Sequence, residues 1–348
     1  MLLPALLAAA PGAALAQEAV DEDLVVTKVE SAVDERKDGW RFHLDLSGSF
    51  NLTHNRAVVG KPAGLSLALG GGLGTGLVYL SGLHEWSLSL GWKFGLTRTP
   101  DLSALSKNQD DFFLESRYLY TFPRPAWLGA FGLVRLESAL LPGWVVAGED
   151  LTVIELDRDG TQESTYEVDT SDRVPLTGPF SPLLLKEKAG LMATPVDREP
   201  VKLQVDLGLG SHQLALFDTT RRVDDDDDTP EMELRILEPY VQVGAALEAR
   251  ITGEPHETFA YGAGAELMQP FYTSIDTEPE HLELLNVRLD AMLRFTIYEY
   301  VVLDLTVEAR RYPLVVDKWQ VATNLLVTFH YEYVTREPPT PEEDGGED

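Results

Sequence analysis

The chain has 348 residues, no cysteine and a formal net charge of −29, from 28 Lys and Arg against 57 Asp and Glu. Without cysteine there are no disulfides, thiolate metal sites or thiol nucleophiles. The acidic excess repels a polyphosphate backbone, which disfavours broad binding to DNA or RNA, and the length suits one large barrel or one to three ordinary domains.

Residues 1–16, MLLPALLAAAPGAALA, form an apolar run ending in Ala14-Leu15-Ala16. That pattern predicts a secretory signal peptide cut after Ala16, although no Lys or Arg stands near Met1. Residues 17–39 are polar and acidic and are expected to be a flexible periplasmic lead. After residue 16 no stretch has the roughly eighteen apolar residues of a membrane-spanning helix. A membrane span would therefore have to be a closed barrel.

From Trp40 the chain alternates. Trp40, Phe42, Leu44, Leu46, Phe50 and Leu52 take one parity, and Arg41, His43, Asp45, Ser47, Ser49 and Asn51 the other. Period two means β-strand. A second strand, Leu65 to Tyr79, carries leucines outward and Gly70, Gly72, Gly74 and Gly76 inward. A third, His84 to Thr97, turns Trp86, Leu88, Leu90, Trp92, Phe94 and Leu96 outward, with Glu85, Ser87, Ser89 and Lys93 inward. The fourth, Phe112 to Phe122, sets Glu115 and Arg117 opposite Leu114, Tyr118 and Tyr120. The fifth, Trp127 to Ser138, keeps Trp127, Phe131 and Leu133 outward and then brings Arg135 and Glu137 onto the same face, which predicts a bulge or emergence from lipid. The sixth, Leu183 to Ala193, is the least regular, because Glu187 falls on the lipid side. Val201 to Ser211, Leu237 to Arg250, Glu257 to Met268, Leu284 to Ile297, Val301 to Arg310 and Trp319 to Tyr333 complete the set. The expectation is an all-β, closed antiparallel transmembrane barrel over residues 40–333. Twelve strands is the count, with ten to fourteen open, and an acidic disordered periplasmic tail follows at 334–348.

Connection lengths support this. With the first strand starting in the periplasm, the external loops are about 11, 14, 44, 25, 15 and 8 residues, and the internal turns about 4, 4, 7, 6 and 3. The two sets do not overlap. Both termini then lie in the periplasm of a Gram-negative outer membrane. Trp40, Tyr79, Trp86, Trp92, Tyr118, Tyr120, Trp127, Tyr298, Tyr300, Trp319 and Tyr331 fall mostly near strand ends, as an interfacial aromatic girdle would.

The polar parity names the lumen. Besides the four glycines it contains Arg41, Asp45, Glu85, Lys93, Glu115, Arg117, Lys188, Lys202, Asp206, Glu248, Arg250, Glu266, Arg288, Asp290, Arg294, Asp304, Glu308, Arg310 and Glu332. Buried charges need partners or water. Two readings stay open: an ion-pair network that braces a narrow shell, and a hydrated passage for small polar solutes or ions. The glycine stripe suits a channel, close packing of neighbouring side chains, or a bend in the wall. The ALGGGLGTG stretch lacks the lysine of a phosphate loop.

Within the 139–182 loop, DLTVIELDRDGTQESTYEV is two polar β runs around Asp159-Gly160, a hairpin signal. The Asp224 to Asp228 run lacks the spaced ligands of a calcium loop. None of the seven histidines (His43, His54, His84, His212, His256, His281, His330) sits in a hydrolase motif, and Ser81 and His84 flank a turn. No catalytic residue, metal or cofactor is assigned. A barrel-embedded hydrolase is the minor alternative, and a plugged structural or binding barrel the main one. Lipid, lipopolysaccharide and the barrel-assembly machinery are the expected partners, and no oligomeric state follows.

Gly39-Trp40, AGLSLALGGGLGTGL, EWSLSLGWKFGLTRT and SPLLLKEKAGLMATPVD together resemble an uncharacterised family of bacterial outer-membrane β-barrels, the DUF3078-like group, over residues 36–333. An Asn-Trp pair expected before the glycine-rich strand is replaced here by VVGKPAG. The resemblance implies an outer-membrane address and no chemistry.

Overall fold

The computed structural model describes residues 38–334 apart from 56–63, 99–104, 148–149, 158–159, 171, 199, 218–220, 224–230, 257, 276–282, 299–300 and 315. The expected signal peptide, the tail, the Asp224 to Asp228 run and Tyr300 lie outside the described residues. Every regular element among the described residues is a strand. In chain order these begin with β1 (Gly39–Asn55), β2 (Gly64–Ser81), β3 (His84–Arg98), β4 (Ser106–Thr121) and β5 (Leu128–Ser138). Four short strands follow: β6 (Gly143–Val146), β7 (Leu151–Leu156), β8 (Gln162–Val168) and β9 (Arg173–Thr177). Next come β10 (Leu183–Arg198) and β11 (Val201–Ala215), then β12 (Arg221–Val223) and β13 (Met232–Ile236). The last five are β14 (Tyr240–His256), β15 (Phe259–Thr273), β16 (Asn286–Tyr298), β17 (Val301–Tyr312) and β18 (Val316–Val334).

The twelve long strands close into one antiparallel barrel, in the order β1-β18-β17-β16-β15-β14-β11-β10-β5-β4-β3-β2. Closure is the ladder between first and last, from His43↔Val334 to Gly48↔Phe329. Among the described residues the barrel itself has no open edge. The even number brings the start of β1 and the end of β18 to the same end of the barrel.

That end also holds the connections 82–83, 122–127, 199–200, 257–258 and 299–300, and the other holds 56–63, 99–105, 139–182, 216–239, 274–285 and 313–315. The long connections gather at one end as expected. The expected absence of overlap is corrected, because 313–315 is shorter than 122–127. The outward apolar alternation stops before the ladder does: β17 and β18 stay paired to Tyr312↔Val316. For the same reason β4 begins at Ser106, paired to Thr97, rather than at Phe112.

The parity expected for the fifth strand is also corrected. β4 and β5 pair without a break from Phe112↔Ser138 to Thr121↔Gly129, so there is no bulge. Phe131, Leu133, Arg135 and Ser138 are buried, while Val134 is exposed. Arg135 and Glu137 therefore share the inner face with Phe131 and Leu133. The apolar inward residues belong to a cluster with Met192 and Leu119 at the short-turn end of the lumen.

The two longest connections fold together. β7 and β8 form the expected hairpin, Leu151↔Val168 to Leu156↔Gln162. β13, from the other loop, joins β7 in parallel at Met232↔Val153, and β12 pairs with β13. β6 and β9 make a separate two-stranded sheet. Ala147, Val153, Val168, Val174, Leu176 and Leu234 form a buried aliphatic core between them. The start of this minidomain is pinned to the outer wall. Asp110 accepts hydrogen bonds from the Trp92 indole (3.0 Å), from the N–H groups of Leu140 (3.3 Å) and Leu141 (2.7 Å), and from Lys107 (2.8 Å).

Candidate functional site

The inner face of the barrel collects the charges. Arg135 on β5 donates to Glu115 on β4 (2.9 Å) and to Glu137 (2.7 Å), and its guanidinium lies over the Phe113 ring at 4.5 Å. Lys186 on β10 donates to Glu137 at 2.9 Å. Arg294 holds Asp304 across β16 and β17 with two bonds, 2.6 and 3.0 Å. Other pairs leave their own ladder. Arg117 on β4 reaches Asp206 on β11 at 2.9 Å, three strands away. Lys188 on β10 pairs with Glu248 on β14 at 2.9 Å and with Glu266 on β15. A long cation at one strand needs a carboxylate within reach in a dry interior, and these contacts satisfy that need by crossing two or three strands of the inner face. Between Glu248, Arg250, Glu266, Arg288 and Asp290 there remains a cavity of about 10 Å³. That is room for about one water.

The opposite wall is built of small residues. Gly70 and Gly72 pair with Ser49 and Ser47. A Cβ at either glycine would meet the facing serine Oγ, and at Gly72 would also touch Lys93 Cγ at 3.5 Å. Of the three readings of the stripe, close packing of neighbouring side chains describes these two positions. Gly74 and Gly76 are buried, and the same face ends in Val78 and Leu80, also buried.

Apolar layers cap the charged section. Phe131, Leu133 and Met192 lie at the short-turn end, with Val78 and Leu80 on β2. Leu214, Tyr240 and Leu284 are buried near the long-loop end.

The structure brings Glu115, Arg117, Lys188, Asp206, Glu248, Arg250, Glu266, Arg288, Arg294, Asp304 and Glu308 into ion pairs. Arg310 donates to Gln320 at 2.8 Å. Asp290 lies against Gly264 and the cavity. Arg41, Asp45, Glu85 and Lys202 have partners too. The side chain of Glu332 is outside the described residues. Arg135, Glu137 and Lys186 were not assigned to the lumen from sequence. A signal for them existed: Arg135 and Glu137 are in phase with each other and out of phase with Val134 and Leu136, and Lys186 shares the parity of Lys188.

The aromatics include one continuous row. Trp40, Tyr79, Trp86 and Tyr118 are successive partners across β1, β2, β3 and β4 at the short-turn end. Trp40 stacks on Tyr79 at 4.7 Å and meets Trp86 edge-on at 5.9 Å. His84 shares a 2.6 Å hydrogen bond with the Tyr118 hydroxyl and lies 5.0 Å from Tyr120. Trp127 and Trp319 are exposed. Trp92 instead stands up the wall, beside Phe94 and bonded to Asp110. The side chain of Tyr331 is outside the described residues.

No family model matches the chain, and no curated protein does. The resemblance to the DUF3078-like group therefore gains no support from them. Among solved structures, the translocator domain of the autotransporter NalP from Neisseria meningitidis aligns over 90% of this chain and 94% of its own. Its identity is 9% and its TM-score 0.40. An outer-membrane channel from Pseudomonas putida F1 aligns over 86% and 96% at 10% identity, with a TM-score of 0.35. The β-domain of the Bordetella autotransporter BrkA aligns over 85% and 98% at 10% identity, with a TM-score of 0.33. Likeness this distant leaves the function to be argued from the chain's own geometry.

Proposed function

We propose that the chain is a Gram-negative outer-membrane β-barrel with periplasmic termini, and that its lumen is a narrow passage for water and small ions or polar solutes. The observation that carries this is an inverted distribution of polarity. Arg135, Lys186 and Asp206 are buried inside, while Leu207, Leu209 and Ile297 are 58%, 60% and 63% exposed outside. A water-soluble protein rarely leaves such a belt uncovered, and lipid is the solvent that suits it. The aromatic row at the short-turn end fits a headgroup level. Outer-membrane lipid, lipopolysaccharide and, during biogenesis, the barrel-assembly machinery are the partners of this reading. It includes no catalytic step.

The crossing ion pairs set the width. With room for about one water between Glu248 and Asp290, the passage excludes sugars while the pairs hold. In planar bilayers the purified protein is expected to give small conductance steps, and its proteoliposomes not to swell in glucose. The Arg117→Ser, Asp206→Ser double variant should conduct more. Glucose uptake by the unaltered protein would reject the narrow passage. A second reading, a filled barrel that carries the external minidomain, is favoured by the apolar layers at both ends of the lumen. Silence of both proteins in the bilayer would select it. Extraction of the chain from membranes by carbonate wash would reject both.

A further inference from the structure

One carboxylate stands on the lipid side of the wall. Glu187 on β10 takes the parity opposite to Lys186 and Lys188, and its ladder partners are Val134 on β5 and Ser211 on β11. Val134, Leu191, Leu207 and Leu209 are exposed apolar residues of the same outer face, and Phe217, just past β11 on the long-loop side, is exposed as well. The Thr194 N–H donates to the Trp127 carbonyl, which puts Glu187 seven residues along β10 from the level of the exposed Trp127. At about 3.3 Å per residue and a strand tilt of about 40°, that is about 18 Å up an apolar band about 25 Å tall. The carboxylate is thus inside the belt, where an ionisable group is costly.

Its own chain satisfies half of it. Ser211 Oγ (3.3 Å) and Gln213 Nε2 (3.0 Å) both donate to Oε2, and Gln213 Nε2 also donates to Ser211 Oγ at 3.2 Å. Among the described residues nothing donates to Oε1 and no cation pairs with the carboxylate. Asp110 makes the contrast. It shares the outward parity of β4, opposite Phe94, yet it is buried, bonded to Lys107 and covered by the N–H groups of Leu140 and Leu141. The chain covers one outward acid and leaves the other open. Acyl chains supply no donor, and anionic lipid headgroups repel a carboxylate. Beside the open oxygen the wall is flat. Ala189 is exposed, and a Cβ on its ladder partner Gly132 would meet nothing within 4 Å.

We propose that this patch is a dimer interface and that its occupant is a second copy of the chain. The interface rests on the outer-membrane reading. Both copies enter the membrane with the same end outward, so a two-fold axis between them runs along the membrane normal, and each residue meets residues of its own depth. The second copy therefore brings a carboxamide and a hydroxyl to the depth at which Oε1 lacks a donor. With the axis passing between Glu187 and Gln213, the carboxylate of each copy faces Gln213 of the other. A carboxamide has two N–H groups, and the one lent to Ser211 at 3.2 Å is the one that turns across. Gly132 and Ala189 let the two walls approach, as small residues do between packed membrane segments. The contact uses the same patch on both copies, so it closes at two.

The chain has no cysteine, so single cysteines can locate the contact. In proteoliposomes a short bismaleimide should link Ala189→Cys into dimers. It should not link Val307→Cys, which is exposed on β17, five strands round the wall. In sedimentation equilibrium of the whole chain in detergent micelles, Glu187→Leu should weaken dimerisation about tenfold, the effect of losing one or two interfacial hydrogen bonds. Glu187→Gln keeps an acceptor and should weaken it less. The two cysteine variants leave Glu187 in place and carry the test if Glu187→Leu does not fold. A monomer in both micelles and vesicles, equal linking at the two cysteines, or unchanged dimerisation in Glu187→Leu would overturn the interface. So would linking of Ala189→Cys to a different protein, and never to itself, in whole outer membranes. A chain released by carbonate rejects the membrane reading, whereas a carbonate-resistant monomer rejects the dimer alone.

Discussion

The barrel and the minidomain bury opposite kinds of residue. Inside the barrel wall lie Glu115, Arg135, Lys186 and Asp206; inside the folded loops lie Val153, Val174 and Leu234. The same alternating strand serves both. In the barrel the apolar parity is turned out and the ladder closes on itself, so the polar parity is left for the interior. In the minidomain the sheets have water outside, so apolar residues turn in. The difference shows that burial alone does not locate a core in this chain; what the outward parity faces decides it.

The largest effect that separates the two regions is expected from Arg135→Leu. Arg135 binds two carboxylates and covers Phe113. Removing one partner from a buried ionic cluster costs about 3–5 kcal/mol, so urea unfolding from vesicles should shift by that amount. Replacing both members of a pair, Arg117→Met with Asp206→Leu, should cost much less than either change alone. If the double change is the worse one, the pairs are not what holds the inner face.

Leu234→Ala acts on the other side of the comparison. Leu234 is fully buried in the minidomain core, and its truncation should cost about 2–5 kcal/mol. Trypsin should then cut within residues 139–182, while the barrel keeps its heat-dependent shift on gels. Loss of that shift would mean that loops and barrel fold as one unit.

How far the sequence announces these regions differs between them. The β16 alternation, with Asn286, Arg288, Asp290 and Arg294 inward against Leu289, Leu293 and Phe295, is readable because its two parities differ in polarity. β5 is misread because both of its parities carry apolar side chains; only Arg135 and Glu137 mark the inner one. The inward turn of Thr273 is invisible, since it comes from a slip of register, between Val243↔Tyr272 and Gly244↔Pro270, that no local residue pattern records. So is the join between β7 and β13, which brings Val153 beside Met232 although β8 to β12 separate them in the chain. Nor does spacing disclose which lumen charges meet: Arg117 and Asp206 are neighbours only because the closed wall curves.

Glycines sharpen the comparison within the wall. Gly91 faces inward, where a Cβ would run into the Phe113 ring. Gly91→Ala should therefore cost about 1–3 kcal/mol by overpacking. Gly71 faces out, with its nearest atom 3.9 Å from an added Cβ, and Gly71→Ala should stay within about 0.5 kcal/mol. Equal effects in vesicle unfolding would contradict the assignment of the two faces.

The smallest effect tests electrostatics where the minidomain meets water. Asp150 precedes β7 and accepts from the Thr170 hydroxyl at 2.6 Å and the Thr170 N–H at 2.8 Å. These two donors hold its carboxyl below the usual aspartate range, the hydroxyl first. A carboxyl lowered in the folded state supports the fold above its ordinary range, and that support is lost as pH falls through the lowered value. Hydrogen exchange at the Thr170 amide should therefore be slow at neutral pH and quicken in acid beyond the intrinsic trend. Asp150→Asn keeps an acceptor oxygen but cannot titrate, so its Thr170 protection should no longer depend on pH in this way. A Thr170 amide that follows the intrinsic trend in both proteins would show that this contact does not fasten the loop, and that the minidomain is held by its aliphatic core and by Asp110 on the barrel wall.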